Sequence, residues 1–156
     1  MAKAKGSKDL DALKDAFHTG DYVKFELKDV ILEYPHLHEP DTRFDAVGKY
    51  KVNCIIPDDV ASDMEYIGFN VKVNDDGQKY VIVQRKPHLG QPKVTQDGNA
   101  VDTRKIGNGS IANVEVSARS VTVAGRTHLP IYIEEIKIDD LVVYEGAGGS
   151  TSVKLM

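Results

Sequence analysis

The chain of 156 residues has one cysteine, no tryptophan and no long apolar run. The single Cys54 excludes an intrachain disulfide and a zinc site built from a cysteine cluster. It stands in an apolar alternation, so we expect it in the core. No segment is apolar enough to span a membrane and the start lacks a signal-peptide pattern, so we expect a soluble protein of a reducing, intracellular compartment. The length suits one domain with a sizeable core.

Sequence motifs of enzymes are missing as well. We find no Gly-x-Ser-x-Gly sequence, no Walker phosphate-binding loop and no zinc-ligand spacing. The neighbouring acids Glu134 and Glu135 would point to opposite faces of a strand, so they cannot converge on a substrate. His36 and His38 with Glu39 form only a weak metal pattern, because they lie in one predicted loop without a further ligand cluster. We expect neither an enzyme nor a bound metal or cofactor.

The charge is low in sum but uneven along the chain. A net charge of −4 argues against a uniformly basic nucleic-acid-binding protein. Residues 85–105 contain five basic and two acidic residues, whereas residues 58–76 contain six acidic residues and one lysine. This distribution fits a basic face on an otherwise acidic body. The alternative is a surface of merely solvated charges.

Two long extended segments in the C-terminal third organise the predicted fold. Residues 110–123 and 131–144 are rich in Val, Ile, Ser and Thr, and residues 124–130, which contain glycine and proline, join them. The apolar alternation changes phase within each segment, in the first one beyond Arg119. Because strand side chains alternate with period two, such a change requires a bulge or a strand that crosses between two walls of a core. Long bent strands of this kind build small closed β-barrels.

The remaining patterns predict shorter elements around this barrel. They are a helix at 7–19 with the apolar stripe Leu10, Leu13 and Phe17, a bent strand at 22–33, a proline-containing loop at 34–46, a strand at 47–56, a second short helix at 58–68, a hairpin at 69–85 and a long loop at 87–105. Since the 87–105 loop has little apolar surface, we expect it to be mobile without a ligand. The barrel would fill residues 22–145 of one domain at 1–145, followed by a flexible Gly/Ser tail at 146–156.

Basic and aromatic residues recur where a nucleic acid could bind. Lys49 and Lys51 alternate with core residues of the 47–56 strand and form an outer basic row, which suits phosphates. Exposed aromatic rings beside basic side chains suit stacked bases. Alternatively, the rings of the 34–46 loop plug the end of the barrel. The candidate nucleic-acid-binding residues are Tyr34, Phe44, Lys49, Lys51, Tyr80, Arg85, Lys86, Arg104, Lys105, Arg119 and Tyr132.

Several short pieces occur in the order and spacing of a known family. They are Gly48-Lys49-Tyr50-Lys51-Val52, Ile56-Pro57, Ile106-Gly107-Asn108-Gly109-Ser110 and Leu141-Val142-Val143-Tyr144. In them the chain resembles the replicative single-stranded DNA-binding proteins of short-tailed bacteriophages of the T-odd coliphage type. The resemblance implies a mainly β, oligonucleotide-binding (OB-fold) five-stranded barrel with an extra hairpin and one or two short helices. It also implies sequence-independent binding of single-stranded DNA in phage DNA replication and recombination, with coating and annealing of strands in the host cytoplasm.

The partners that the resemblance implies are single-stranded DNA, phage DNA polymerase or helicase, and a second copy in a homodimer, with no membrane. Tyr50 and Lys51 match a Tyr-Lys step of the family, and the alternation assigns the DNA contact to Lys51. Family members recruit polymerase and helicase through an acidic C-terminal tail that ends in an aromatic residue. Residues 146–156 contain one lysine and no acid, so they depart from this pattern. The alternative interpretation is a structural β-domain that assembles in a virion or another protein complex.

Overall fold

The computed structural model describes residues 2–41 and 48–143, and within them the side chains of residues 10–39 and 48–143. These residues form two α-helices and ten strands, with short 3-10 helices at Pro87–Leu89 and Thr103–Lys105. The helices are α1 (Ala2–Phe17) and α2 (Asp58–Ile67). The strands are β1 (Val23–Asp41), β2 (Lys49–Ile56), β3 (Lys72–Val73), β4 (Lys79–Arg85), β5 (Lys93–Gln96), β6 (Asn99–Ala100), β7 (Ile111–Ala118), β8 (Val121–Val123), β9 (Arg126–His128) and β10 (Ile131–Asp140).

Five strands close into a ring. Their order is β4-β2-β1-β7-β10, and β4 pairs again with β10. The closing pair is parallel, with Ile131 opposite Val83 and Tyr132 opposite Gln84. The other neighbours in the ring are antiparallel. This ring with one parallel closure confirms the prediction of a mainly β protein with an OB-type arrangement of five strands.

The inward side chains of the ring form the core. Along β2, Tyr50, Val52, Cys54 and Ile56 are buried, as the alternation predicts. Cys54 is fully covered, and burial raises the pKa of its thiol to about 12. The prediction that Cys54 is a core residue is therefore confirmed, because a thiol held neutral in this way behaves as a small apolar group.

The first strand bends as predicted. The register between β1 and β7 shifts between Leu27 and Val30, and Asp29 at the shift has a φ of 53°. An extra residue at this point moves the inward position from Leu27 to Val30. The bulge lets β1 pair with β7 in its first half and with β2 in its second half.

The strand does not end at Glu33, however. Residues 34–41 continue β1 and pair with β2, with His36 opposite Lys51 and Asp41 opposite Lys49. The prediction of a loop from Tyr34 is wrong for these residues. Register shifts on both sides of His36 leave room for the prolines, which cannot donate a ladder hydrogen bond.

The segment predicted as one strand at 110–123 is divided. β7 ends at Ala118, and the chain then forms the separate two-stranded β8–β9 hairpin, which lies outside the ring. Ala124 and Gly125 have φ values of 53° and 78°, which a two-residue hairpin turn requires. The phase change beyond Arg119 therefore marks the end of a strand rather than a bulge. In β10 the predicted phase change is a register shift between Ile133 and Glu135, which confirms that prediction.

The helix α1 covers one end of the ring. It begins at Ala2 rather than Ser7, since alanine and lysine favour a helix there. Phe17 packs edge-on against Phe25 and Phe69, with ring centroids 5.2 and 5.1 Å apart. Leu13, from the predicted stripe, stays exposed. The last turn of the helix is thus anchored in the core, and Leu10 packs against that core as well.

Residues 87–105 are attached to the ring. β5 pairs in parallel with β10, and β6 pairs back onto β5. Val94 in β5 is 4% exposed and belongs to the core, and Val101 packs against that core. The expectation that this segment has little apolar surface to hold it is therefore wrong. The predicted tail at 146–156 and Phe44 lie outside the described residues.

Candidate nucleic-acid interface

A groove crosses the outer face of β2, β3 and β4. Its lining consists of Lys51, Gly68, Asn70, Lys72, Ile82 and Gln84 on one side and Thr127, His128, Leu129, Pro130 and Ile131 on the other, around a volume of about 370 Å³. A smaller concavity of about 250 Å³ is lined by Tyr34, His36, Lys51 and Asn53. Because Lys51 lines both, we treat them as one continuous surface and call it the groove.

The β-sheet register places the lysines of the groove on its floor. In β2, Lys51 lies between the buried Tyr50 and Val52, so its side chain leaves the opposite face of the sheet. Gln84 of β4 lies opposite Lys51. Lys72 belongs to the short β3 strand. It pairs with β4 near the first residue of β4, whereas Gln84 lies near the last residue of β4. Three neighbouring strands thus present amine and amide groups along one surface, which suits a chain of phosphates.

Tyr34 stands at one end of the groove in a strained backbone conformation. Its φ is 49°, which bulky residues rarely adopt, and its side chain is 62% exposed. The backbone N–H of Tyr34 donates a 2.6 Å hydrogen bond to Oδ1 of Asn108. Asn108 is itself fixed in a turn, where Gly109 N donates to the carbonyl of Leu32. The Ile106–Ser110 turn therefore holds the backbone that projects the Tyr34 ring from the sheet.

The charges around the barrel are segregated. Among the residues that the structure describes, no aspartate or glutamate lines the groove. On the outer face of β1, β7 and β10, by contrast, Glu26, Glu115 and Glu135 lie directly opposite one another. Lys137 approaches Glu115 at 2.8 Å, and this contact raises the pKa of Lys137. A row of three acidic side chains thus lies on a face of the ring away from the groove.

A second concavity, which we call the hollow, lies on the outer face of β1, β7 and β10, beside the turn that follows β4. It is lined by Tyr22, Lys24, Arg85, Lys86, His88, Leu89, Ser117, Tyr132, Ile133 and Glu134 around a volume of about 590 Å³. The Tyr22 and Tyr132 rings meet edge to face at 6.2 Å, and the Arg119 guanidinium lies 4.9 Å from the Tyr22 ring centre. Burial and the Tyr22 phenol raise the pKa of Tyr132 and Arg119 opposes the rise, so the phenol stays neutral.

The guanidinium of Arg85 is committed to the fold. It donates to the backbone carbonyls of Leu89, Gly90 and Ile133 at 3.0 to 3.1 Å. These bonds fix the turn that follows β4 and place Lys86 and His88 at the hollow. Arg85 is therefore a candidate residue that the structure shows in a supporting position, with three of its five N–H donors paired to the backbone.

The other candidate residues are spread over the surface. Lys49 lies two positions before Lys51 on the same face of β2, and Tyr80 is half-buried on the outer face of β4. Arg104 pairs with Asp102 at 3.1 Å, and its hydrogen bonds lower the pKa of that carboxyl group. Of the described candidates, Lys49, Tyr80, Arg104, Lys105 and Arg119 line neither concavity. The structure thus brings together Tyr34 and Lys51 in the groove, and Arg85, Lys86 and Tyr132 in the hollow.

Sequence reasoning missed several residues of these surfaces. Lys72, Gln84 and His128 line the groove, while Tyr22 and Lys24 line the hollow. The alternation of the first strand already placed Lys24 outside the core. The other four are joined to the candidates only by pairing between distant strands, for which the sequence carries no local signal.

In the described part of the chain, no three His, Cys, Asp or Glu side chains lie close enough together to hold a metal ion. No helix there is long and apolar enough to cross a membrane.

Comparison with solved structures finds similar folds among phage proteins. No protein-family model and no curated protein sequence matches the chain. The single-stranded DNA-binding protein from bacteriophage Enc34, in complex with single-stranded DNA, aligns with a TM-score of 0.57 at 12% identity, over 75% of this chain and 86% of that one. Gp2.5, the single-stranded DNA-binding protein encoded by bacteriophage T7, aligns with a TM-score of 0.54 at 16% identity, over 83% and 92% of the two chains. The chain therefore has the fold of the single-stranded DNA-binding proteins of bacteriophages.

Proposed function

We propose that the protein binds single-stranded DNA, without sequence preference, along the groove. The observation that carries this proposal is the groove itself, in which lysines of two strands and an exposed tyrosine line a surface free of described carboxylates. OB folds bind oligonucleotides on the face formed by their second and third barrel strands. Counted along the chain, these strands of the ring are β2 and β4. In a protein with a net charge of −4, such a surface is the place where a polyanion is least repelled.

Each side chain has a distinct task in this mechanism. Lys51 and Lys72 neutralise phosphates, and the release of counterions from the strand supplies the affinity. The exposed ring of Tyr34 stacks on a base, and stacking of this kind tolerates all four bases. Gln84 and Asn53 donate hydrogen bonds from their amides to phosphate or sugar oxygens. Neither phosphate contacts nor base stacking distinguishes one DNA sequence from another. Binding through these contacts is therefore independent of the DNA sequence.

The biological setting follows from the same reasoning. A protein that covers single strands without regard to sequence protects the intermediates of DNA replication and recombination. The proteins with the same fold are phage single-stranded DNA-binding proteins, so we place the activity in phage DNA replication in the host cytoplasm. Because coated strands are kept free of internal pairing, annealing of complementary strands is the reaction that such coating would assist.

The first test compares ligands of equal length. Oligo-dT should shift the protein in a native gel at concentrations at which duplex DNA of the same length does not. A duplex is too stiff to lay unstacked bases on Tyr34, since its bases are stacked and paired inside it. Equal binding of both ligands would contradict a function in binding single strands. It would indicate that the protein is attracted to the phosphates of any DNA.

The second test measures the salt dependence of binding. Each neutralised phosphate contributes a slope of about −0.7 to the plot of log affinity against log salt for single strands. Lys51→Ala should therefore make the slope shallower by about 0.7. The matched control is Lys28→Ala, because the Lys28 side chain is 74% exposed but lines neither the groove nor the hollow. An unchanged slope for Lys51→Ala would remove this lysine from the interface.

A further inference from the structure

The hollow has the composition of a second stacking site. Tyr22 is 58% exposed, and its ring is held between Tyr132 and the Arg119 guanidinium. These two contacts restrict the Tyr22 ring, so a base that stacks on it costs less additional ordering. Lys24 and Lys86 flank the two rings. The one described carboxylate of the hollow, Glu134, accepts a hydrogen bond of 2.7 Å from Ser117.

The sheet register joins the hollow to the groove. Lys51 lies opposite Gln84, Gln84 opposite Tyr132, Tyr132 opposite Ser117, and Ser117 opposite Lys24. Their side chains therefore form one outward row around the barrel. Neighbouring strands are about 4.8 Å apart, so Tyr132 is separated from Lys51 by two spacings, or roughly 10 Å. No residue in this row is acidic.

We propose that the bound single strand continues from the groove across Gln84 into the hollow, where Tyr22 and Tyr132 receive a further base and Lys24 and Lys86 its phosphates. This inference rests on the proposed function. It adds a second binding region to the groove, with Tyr22 as its principal contact. The ligand is a stretch of the same DNA strand, because the row is continuous with the groove and carries positive charge toward a polyanion.

The proposal has a consequence that depends on the length of the DNA. A strand just long enough to fill the groove does not reach the hollow, whereas a longer strand contacts both. Loss of Tyr22 should therefore leave the affinity for short strands unchanged and lower it for long ones. Loss of Lys51 should lower the affinity for every length. This difference separates a failure of the hollow from a failure of the groove.

The experiment measures the affinity of oligo-dT from about 4 to 16 nucleotides, the range of site sizes known for OB folds. The variants are Tyr22→Leu, which keeps an apolar side chain but removes the ring, and Tyr22→Phe, which keeps the ring. Tyr22→Leu should bind the longest strands roughly fivefold to 100-fold more weakly, and Tyr22→Phe should bind like the parent protein. Circular dichroism and urea unfolding of both variants confirm that the fold is kept.

A fluorescent reporter gives an independent readout. The sequence contains no tryptophan, so Tyr22→Trp and Tyr34→Trp each introduce a single emitter. Quenching of the Tyr34→Trp signal should begin with shorter strands than quenching of the Tyr22→Trp signal. If Tyr22→Leu affects all lengths equally or none, or if Tyr22→Trp is never quenched by any length that binds, the strand does not enter the hollow. In that case an effect of Lys51→Ala at every length would still support the groove.

Discussion

Replacing Asn108 with alanine should weaken the binding of single-stranded DNA through its effect on Tyr34. Asn108 Oδ1 accepts the backbone N–H of Tyr34 at 2.6 Å. Tyr34 has a φ of 49°, and a non-glycine residue in this region is strained by about 1–3 kcal/mol. The surrounding structure has to offset this strain, and Asn108 supplies one of the contacts that do so. Without its acceptor, the Tyr34 backbone can relax and turn the ring away from the groove.

The magnitude follows from the one hydrogen bond that is lost. A hydrogen bond of this kind stabilises the folded state by about 1 kcal/mol. An energy of about 1 kcal/mol shifts a conformational equilibrium roughly fivefold. We therefore expect Asn108→Ala to weaken oligo-dT binding by up to about fivefold and to lower the free energy of unfolding by about 1 kcal/mol. Tyr34→Ala sets the upper limit, since loss of one stacked base costs about 1–3 kcal/mol.

A double-mutant cycle tests this reasoning. In the Tyr34→Ala background, Asn108→Ala should cause no further loss of affinity, because the ring that it positions is absent. The matched variant Asn108→Asp retains an oxygen acceptor and should keep the stability of the parent protein. Fluorescence anisotropy of Tyr34→Trp should fall when Asn108 is replaced with alanine, as the ring gains freedom. An equal loss of affinity in both backgrounds would refute the argument and show that Asn108 acts on DNA independently of Tyr34.

Three other outcomes follow from the structure. Lys72→Ala should make the slope of log oligo-dT affinity against log salt shallower by about 0.7, and the double variant with Lys51→Ala should make it shallower by about 1.4. A change below about 0.3 for Lys72→Ala would show that this lysine does not contact the DNA strand. The Cys54 thiol, whose pKa burial raises to about 12, should resist a thiol reagent at pH 8 until the protein unfolds in urea; rapid labelling of the folded protein would contradict a closed core. Phe17→Ala should lower the free energy of unfolding, measured in urea, by about 3 kcal/mol, because Phe17 is 3% exposed and touches two other rings. A loss below about 1 kcal/mol would show that α1 packs only loosely.

Alternation along single strands was the part of the structure that the sequence made predictable. It placed Cys54 inside and Lys51 outside, and it located the bend of β1 near Val30. Each of these follows from the period of two in a strand, which depends on a few neighbouring residues. The small closed barrel followed too, since repeated phase changes in long apolar strands leave few other ways to bury them.

Pairing between distant strands could not be predicted in the same way. Pro35 made residues 34–41 look like a loop, yet they continue β1 because register shifts accommodate the prolines. Arg85 looked like a free basic group, yet one of its N–H groups donates to the backbone carbonyl of Ile133, 48 residues away. The contact between Asn108 and Tyr34 spans 74 residues. Such contacts are decided by the register of the whole sheet, for which one sequence carries no local signal.

The same register explains how an acidic protein can have a surface for a polyanion. One outward row of the ring brings Lys51, Gln84 and Tyr132 together, whereas another brings Glu26, Glu115 and Glu135 into direct opposition. Like charges placed opposite each other destabilise a sheet, and Lys137 and Lys93 offset part of this cost by pairing with Glu115 and Glu135.

A barrel that only needed to fold would gain by mixing these charges. Their separation instead creates a field that repels a DNA strand from the acidic row of Glu26, Glu115 and Glu135 and directs it along the groove and the hollow. Reversing one member of the acidic row therefore acts on the path of the strand, even though the residue lines neither the groove nor the hollow. The effect grows at low salt, where the Debye length of about 10 Å at 0.1 M increases toward the width of the barrel.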